Sequence, residues 1–144
     1  MILKIRKDVY NAISHQVGSG EAEDGGICGA DNDNIISAFV FDAGTSACPG
    51  KYSPDVKHLN QVLKEWSKTG IRFCAFVHSH PMGSADLSVP DIQYAERILT
   101  CFDYLERLYL LLVIYESKAS KRLMCYCINK FGKEPETVVL QIVK

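Results

Sequence analysis

Two histidines separated by a single residue stand at the end of an apolar run, in Phe76-Val-His-Ser-His80. Because side chains alternate along a strand, His78 and His80 lie on the same side and can converge on one point. Asp91 follows in Ser88-Val-Pro-Asp91, where it would lie on the first turn of a helix. Two imidazoles and a carboxylate would form a three-ligand zinc site, whose open fourth position is typical of catalytic zinc.

Each of these residues also has a purely structural interpretation. Ser88 and Asp91 match a capping box, which many helices use, and histidines near a strand end are often surface residues. The chain contains four histidines, and the other two, His15 and His58, fall in helical segments with no partner pattern. The combination of both histidines with one carboxylate therefore favours metal binding.

The run His78-Ser-His80-Pro, followed by Ser88-x-x-Asp91, resembles the motif of the JAMM (JAB1/MPN/Mov34) metalloproteases. The resemblance extends to Tyr52-Ser-Pro-Asp55, to the helix that carries Trp66 and to the strand entering His78, so it covers nearly all of the chain. It is closest to the prokaryotic stand-alone members. It implies a zinc metallopeptidase with one catalytic Zn²⁺, held by His78, His80 and Asp91.

The resemblance also implies a catalytic glutamate upstream of the histidines. Glu23 in Glu23-Asp-Gly-Gly26 matches the family's E-x-x-G segment and would be the general base, with Glu21 as an alternative. Ser88 would donate a hydrogen bond to the tetrahedral oxyanion. Tyr52, Met82 and Gly83 are candidates for lining a substrate channel.

Family members typically cut the amide bond after the C-terminal glycine of a ubiquitin-like protein, so the expected substrate and partner is such a protein or its conjugate. A hydrolase that processes sulfur-carrier proteins is the first alternative, and a non-catalytic MPN scaffold is the second. A zinc deaminase is disfavoured, because His-x-Glu and a later Pro-Cys-x-x-Cys are missing from the chain. The substrate, the linkage and the oligomeric state stay open.

Alternating patterns and turn signals predict the elements that would hold these residues. A single domain over residues 1–144 is expected to be an α/β sandwich, with a mixed, largely antiparallel sheet flanked by helices, and the resemblance implies the MPN (cytidine-deaminase-like) form of it. The predicted helices are Asp8–Val17, one begun by Ser53-Pro-Asp55 and ended by Gly70, and one begun by Ser88. One predicted strand begins at Ile27. The other predicted strands cover Ile35–Phe41, Ile71–Val77, Leu108–Tyr115, Arg122–Lys130 and Thr137–Val143.

Composition excludes several classes of protein. Of the 144 residues 47% are hydrophobic and 23% charged, which is ordinary for a globular domain. The net charge of -1 argues against a nucleic-acid partner, and no apolar run is long enough to cross a membrane. The N-terminus has no export signal, so a cytoplasmic location is expected. The six cysteines are expected to be reduced thiols, because most lie in strand-like apolar runs.

Overall fold

A computed structural model describes residues 1–18, 23–45, 54–80, 86–114, 120–131 and 134–144, together with the backbone of 115–117. Within these residues lie three helices and seven strands. In chain order they are β1 (Ile2–Arg6), α1 (Lys7–Gln16), β2 (Gly25–Ala30), β3 (Ile36–Asp42), α2 (Val56–Ser67), β4 (Arg72–His80), α3 (Val89–Cys101), β5 (Arg107–Ser117), β6 (Ser120–Asn129) and β7 (Glu136–Val143).

The strands form one mixed sheet in the order β1-β3-β2-β4-β5-β6-β7, and β7 returns to pair with β1. The pairs β2–β3, β2–β4, β5–β6 and β6–β7 are antiparallel, and β1–β3, β1–β7 and β4–β5 are parallel. The predicted mixed α/β organisation is therefore confirmed.

The first strand, β1, was not predicted from the sequence. Ile5 pairs with Ile36 on β3 and with Ile142 on β7, so β1 closes the sheet into a barrel. The expected sandwich is accordingly not confirmed as such. The remaining predicted helices and strands are present, with ends that move by a few residues.

Hydrophobic residues cover both faces of the sheet. On one face α1 packs through Val9 and Ile13 against a cluster that includes Ala75 and Val77 of β4. On the other face α2 and α3 pack through buried side chains, among them Trp66 and Leu99. Successive residues of β4 thus face different layers, which gives the two faces of this strand separate environments.

The starts of two helices differ from the sequence prediction in detail. α1 begins at Lys7, one residue before the predicted start, and the side chain of its N-cap Arg6 makes no capping hydrogen bond, while Oδ1 of Asp8 accepts the Val9 N–H at 2.9 Å. Asp55 caps α2 by accepting a hydrogen bond from the backbone N–H of His58. Ser53, the predicted hydroxyl cap, is outside the described residues. Gly18 and Gly70 have positive φ beyond the ends of α1 and α2, as glycine allows.

None of the described helices is both long and apolar enough to span a bilayer. The described cysteines are all free thiols, which agrees with the sequence prediction: Cys28, Cys74, Cys101, Cys125 and Cys127. Burial raises the pKa of Cys74 to about 12. Burial also raises the pKa of the Cys28 and Cys125 thiols, so these side chains behave as small apolar groups.

Candidate metal centre

His78, His80 and Asp91 come together at the end of β4. Nε2 of His78 lies 2.9 Å from Oδ1 of Asp91, and Nε2 of His80 lies 3.1 Å from Oδ2. The two imidazole rings meet edge to face, with their centroids 4.6 Å apart. The histidines are 8% and 9% exposed, so this cluster is largely withdrawn from solvent. Among the described residues, these three alone form a group of side chains that could hold a metal ion.

Strand pairing explains why both histidines face the same layer. His78 and His80 are separated by Ser79 on β4, and they pair with Leu112 and Ile114 of the buried strand β5. On its other side His78 pairs with Gly25 of β2, which has no side chain. His78 therefore lies between an apolar residue of β5 and a glycine of β2, and His80 lies beside an apolar residue of β5. Low polarity on the β5 side strengthens electrostatic interactions within the cluster.

Asp91 reaches the histidines because α3 begins beside them. Ser88 is the N-cap of α3, and its hydroxyl accepts a hydrogen bond from the Asp91 N–H at 3.2 Å. In return the Ser88 N–H donates to Oδ2 of Asp91 at 2.9 Å. The capping box predicted from the sequence is therefore present, and it orients the same carboxylate that meets the histidines.

The electrostatics of the cluster favour an ionised Asp91. Burial by itself would raise the pKa of Asp91, but hydrogen bonds from His78 and His80, together with the Ser88 N–H, outweigh it and hold that pKa well below its usual range. An ionised carboxylate only accepts hydrogen bonds, so each imidazole donates through Nε2–H in the metal-free protein.

The donor set fits a zinc ion. Two imidazole nitrogens and one carboxylate oxygen are a ligand set of catalytic zinc sites, and the ligand atoms here all lie within 4.8 Å of one another. Tetrahedral zinc with bonds of about 2.0–2.1 Å separates its ligand atoms by about 3.3 Å. The distance of 2.9 Å between Nε2 of His78 and Oδ1 of Asp91 lies within a few tenths of an ångström of that separation. Zn²⁺ would replace the two Nε2 protons.

The segment that carries Glu23 lies beside the end of β4. Gly25 pairs with His78, and the Ser79 N–H donates to the Asp24 carbonyl at 2.9 Å. Glu23 comes one residue before Asp24, and a further step of the same register would put it opposite His80 and on the same face of the sheet. Glu23 is partly buried and does not belong to the possible ligand group. This placement suits a base that acts beside a metal rather than a ligand.

Three buried or partly buried charged residues near the site were not identified from the sequence. Asp42, at the end of β3, pairs with Gly25 and accepts a hydrogen bond from the Asp55 N–H at 3.0 Å. Asp24 and Lys121 lie on the opposite face of the sheet, toward α1. Burial raises the pKa of Asp24 and lowers that of Lys121, and the attraction between their charges opposes both shifts. Of these three residues only Asp42 had a sequence signal, because it directly follows the apolar run of β3.

Four residues proposed on sequence grounds fall outside the described residues. These are Glu21, the alternative base, and the channel candidates Tyr52, Met82 and Gly83. Ser79, by contrast, is among the described residues. Its side chain points away from the metal cluster and forms hydrogen bonds with the backbone of Asp24.

No known family profile and no curated protein matches this chain. Solved structures do share its fold. A protein from Desulfitobacterium hafniense superposes with a TM-score of 0.69 at 20% identity, covering 99% of this chain and 94% of that one. A JAB1/MPN domain protein from Archaeoglobus fulgidus gives 0.54 at 17% identity, covering 99% and 97%. A structure described as JAMM, a metalloprotease-like zinc site in the proteasome and signalosome, gives 0.54 at 19% identity over 100% of both chains. This chain therefore has the fold of JAB1/MPN domain proteins.

Proposed function

We propose that this protein is a JAMM-type zinc metallopeptidase that hydrolyses the amide bond after the C-terminal glycine of a ubiquitin-like protein, in a conjugate or a precursor. The observation that carries the proposal is the convergence of His78, His80 and Asp91 at the end of β4. The JAB1/MPN fold and the complete His-x-His-Pro and Ser-x-x-Asp pattern support it.

His78, His80 and Asp91 would hold the zinc ion. When bound, zinc supplies Lewis acidity, which lowers the pKa of water toward neutrality and polarises a scissile carbonyl. The protein keeps the three ligands in place before metal arrives, because β4 orients the imidazoles and the α3 capping box orients the carboxylate. Preorganised ligands reduce the reorganisation that metal binding would require.

Glu23 and Ser88 would handle the proton and the developing charge. The Glu23 carboxylate would take a proton from the attacking water and deliver it to the leaving amine. The Ser88 hydroxyl already accepts the Asp91 N–H, so its own proton is available to donate to an oxyanion. The positive end of the α3 dipole, at Ser88, favours negative charge at the same place.

An extended substrate tail fits the sheet edge that leads to the site. β1 pairs with β3 only at Ile5 and Ile36, so residues 37–41 of β3 have no strand partner on that side within the described part of the chain. This edge ends at Asp42, which lies in register with Gly25 and His78. A peptide adding to β3 as a strand would run toward the metal cluster.

A non-catalytic scaffold is the competing interpretation. The convergence of His78, His80 and Asp91 favours the enzyme, because a scaffold has no need to keep two buried histidines against a partly buried carboxylate. Titration with zinc separates the two interpretations before any substrate is known.

The experiment is a calorimetric zinc titration of metal-stripped protein, comparing wild type with Asp91→Ala and with Asp103→Ala, an exposed aspartate away from the site. We expect one zinc per chain in wild type and in Asp103→Ala, and a loss of affinity of about 100-fold or more in Asp91→Ala. A ubiquitin-like protein carrying a C-terminal extension then serves as substrate. Equal zinc affinity in wild type and Asp91→Ala would overturn the proposed metal site. A zinc-loaded protein that leaves this extension uncut would overturn the proposed peptidase activity.

A further inference from the structure

A buried carboxylate lies directly after the proposed general base. Asp24 is 9% exposed, and its side chain points to the α1 side of the sheet, away from His78 and His80. Its Oδ1 accepts a hydrogen bond of 2.7 Å from the backbone N–H of Gly18, just beyond the end of α1. Because a buried carboxylate is costly without partners, this contact anchors the segment strongly.

The backbone of Asp24 is held as tightly as its side chain. The Asp24 N–H donates to Oγ of Ser79 at 3.0 Å, and the Asp24 carbonyl accepts from the Ser79 N–H at 2.9 Å and from the Ser79 hydroxyl at 3.3 Å. Ser79 is 3% exposed and lies between the two histidines on β4. The segment before β2 is thereby bonded to the strand that carries the metal cluster.

Lys121 completes the arrangement from β6. Its ammonium donates to the carbonyls of Ser14 and Val17, at 2.8 and 2.9 Å, which lie at the C-terminal end of α1. A cation there complements the helix dipole, and its charge attracts the Asp24 carboxylate. The end of α1, the segment before β2 and the end of β4 are thus connected through Asp24.

We propose that Asp24 is a positioning residue that holds Glu23 in register with His80. Neighbouring residues of an extended chain face opposite sides, so anchoring Asp24 toward α1 turns Glu23 toward the histidines. The inference rests on the proposed function, and it adds a residue that touches neither metal nor substrate.

The test compares wild type with Asp24→Ala and Asp24→Asn. Asp31→Ala is the matched control, because Asp31 accepts backbone N–H bonds from Asp33 and Ile35 at the other end of β2. Four quantities are measured: amide hydrogen exchange at Ser79 in the metal-free protein, zinc affinity, kcat and KM. The substrate is the ubiquitin-like protein with its C-terminal extension.

In Asp24→Ala we expect Ser79 amide exchange to accelerate about 10-fold, and kcat to fall about 10- to 100-fold. Zinc affinity and KM should stay within about threefold of wild type, because the ligands and the sheet edge are unchanged. Asp24→Asn keeps an acceptor for the Gly18 N–H and should restore most of kcat. Asp31→Ala should lower stability without lowering kcat.

Unchanged Ser79 exchange in Asp24→Ala would overturn the inference, as would a normal kcat despite faster exchange. Equal losses of kcat in Asp24→Ala and Asp31→Ala would also overturn it, since general destabilisation would then explain both. If zinc-loaded wild type cuts no substrate, the proposed function fails, and the Ser79 exchange by itself decides whether Asp24 anchors the segment that carries Glu23.

Discussion

One carboxylate, Asp91, serves both the helix and the candidate metal centre. It accepts the Ser88 N–H as the third residue of α3 while its oxygens meet His78 and His80. The capping box of α3, a common pattern at the start of a helix, therefore also orients the Asp91 carboxylate toward the histidines. Residues with such double roles need variants that separate the roles.

Glu23→Gln is the sharpest residue-scale prediction. It removes the proposed base and leaves the three ligands, so zinc affinity should be unchanged while kcat falls by about 10²–10⁴-fold. Zinc calorimetry and steady-state kinetics on the same preparation check both halves. Glu65→Gln, on the exposed face of α2, is the control and should be silent. Near-normal turnover in Glu23→Gln would mean that Glu21 or another acid is the base.

Ser88 can be tested with two variants that both lack a hydroxyl. Glycine is a good N-cap and alanine is a poor one, so Ser88→Gly should cost only a few tenths of a kcal/mol and Ser88→Ala about 1 kcal/mol. If Ser88 donates to the oxyanion, kcat should fall about 10²–10³-fold in both variants, independently of stability. Urea unfolding and kinetics provide the comparison. If kcat falls only in Ser88→Ala, in step with the loss of stability, Ser88 acts as a helix cap and not as a donor to the oxyanion.

At the scale of elements, close packing between β2 and α2 supports the site. A Cβ at Gly29 would lie 2.3 Å from Cγ2 of Ile71 and 3.0 Å from Cε3 of Trp66. β2 therefore lets α2 approach only because a glycine occupies this position. Gly25 of the same strand pairs with His78, so a displacement of β2 would also displace a residue next to the metal cluster.

Gly29→Ala should consequently destabilise the protein by about 1–3 kcal/mol through overpacking. The penalty should shrink in an Ile71→Ala background, because that variant removes the nearest atom. A double-mutant cycle of urea unfolding energies measures the coupling. Strictly additive energies would mean that the backbone, and not Ile71, absorbs the clash.

At the scale of the whole molecule, the N-terminal strand joins the two ends of the sheet. Ile5 is fully buried and pairs with both β3 and β7, while Lys4 beside it is exposed. A strand that closes a sheet contributes to the stability of every other strand, since unfolding is cooperative in a chain of this size.

Ile5→Ala should lower the free energy of unfolding by about 2–5 kcal/mol, because it leaves a cavity between two strands. Lys4→Ala should change it by less than about 0.5 kcal/mol. Chemical denaturation followed by circular dichroism measures both variants. An Ile5→Ala loss no greater than that of Lys4→Ala would show that closure of the sheet adds little to stability.

Short-range patterns in the sequence were enough to predict the local features of this protein. His-x-His in a strand and Ser-x-x-Asp at a helix start are short-range patterns, and periodicity fixes which residues share a face, so the candidate ligands, the capping box and most elements were predictable. The predicted set His78, His80 and Asp91 does converge, as expected.

Features that depend on contacts between distant segments could not be predicted from local patterns. β1 is a short strand in which Lys4 and Arg6 alternate with apolar residues, so its place between β3 and β7 rests on partners more than 30 and 130 residues away in the chain. The burial of Asp24 and the partial burial of Lys121 had no sequence signal, because burial of an ionised group depends on what surrounds it and not on its neighbours in sequence. The pairing of Gly25 with His78 likewise follows from the register between β2 and β4, which a shift of one residue would change.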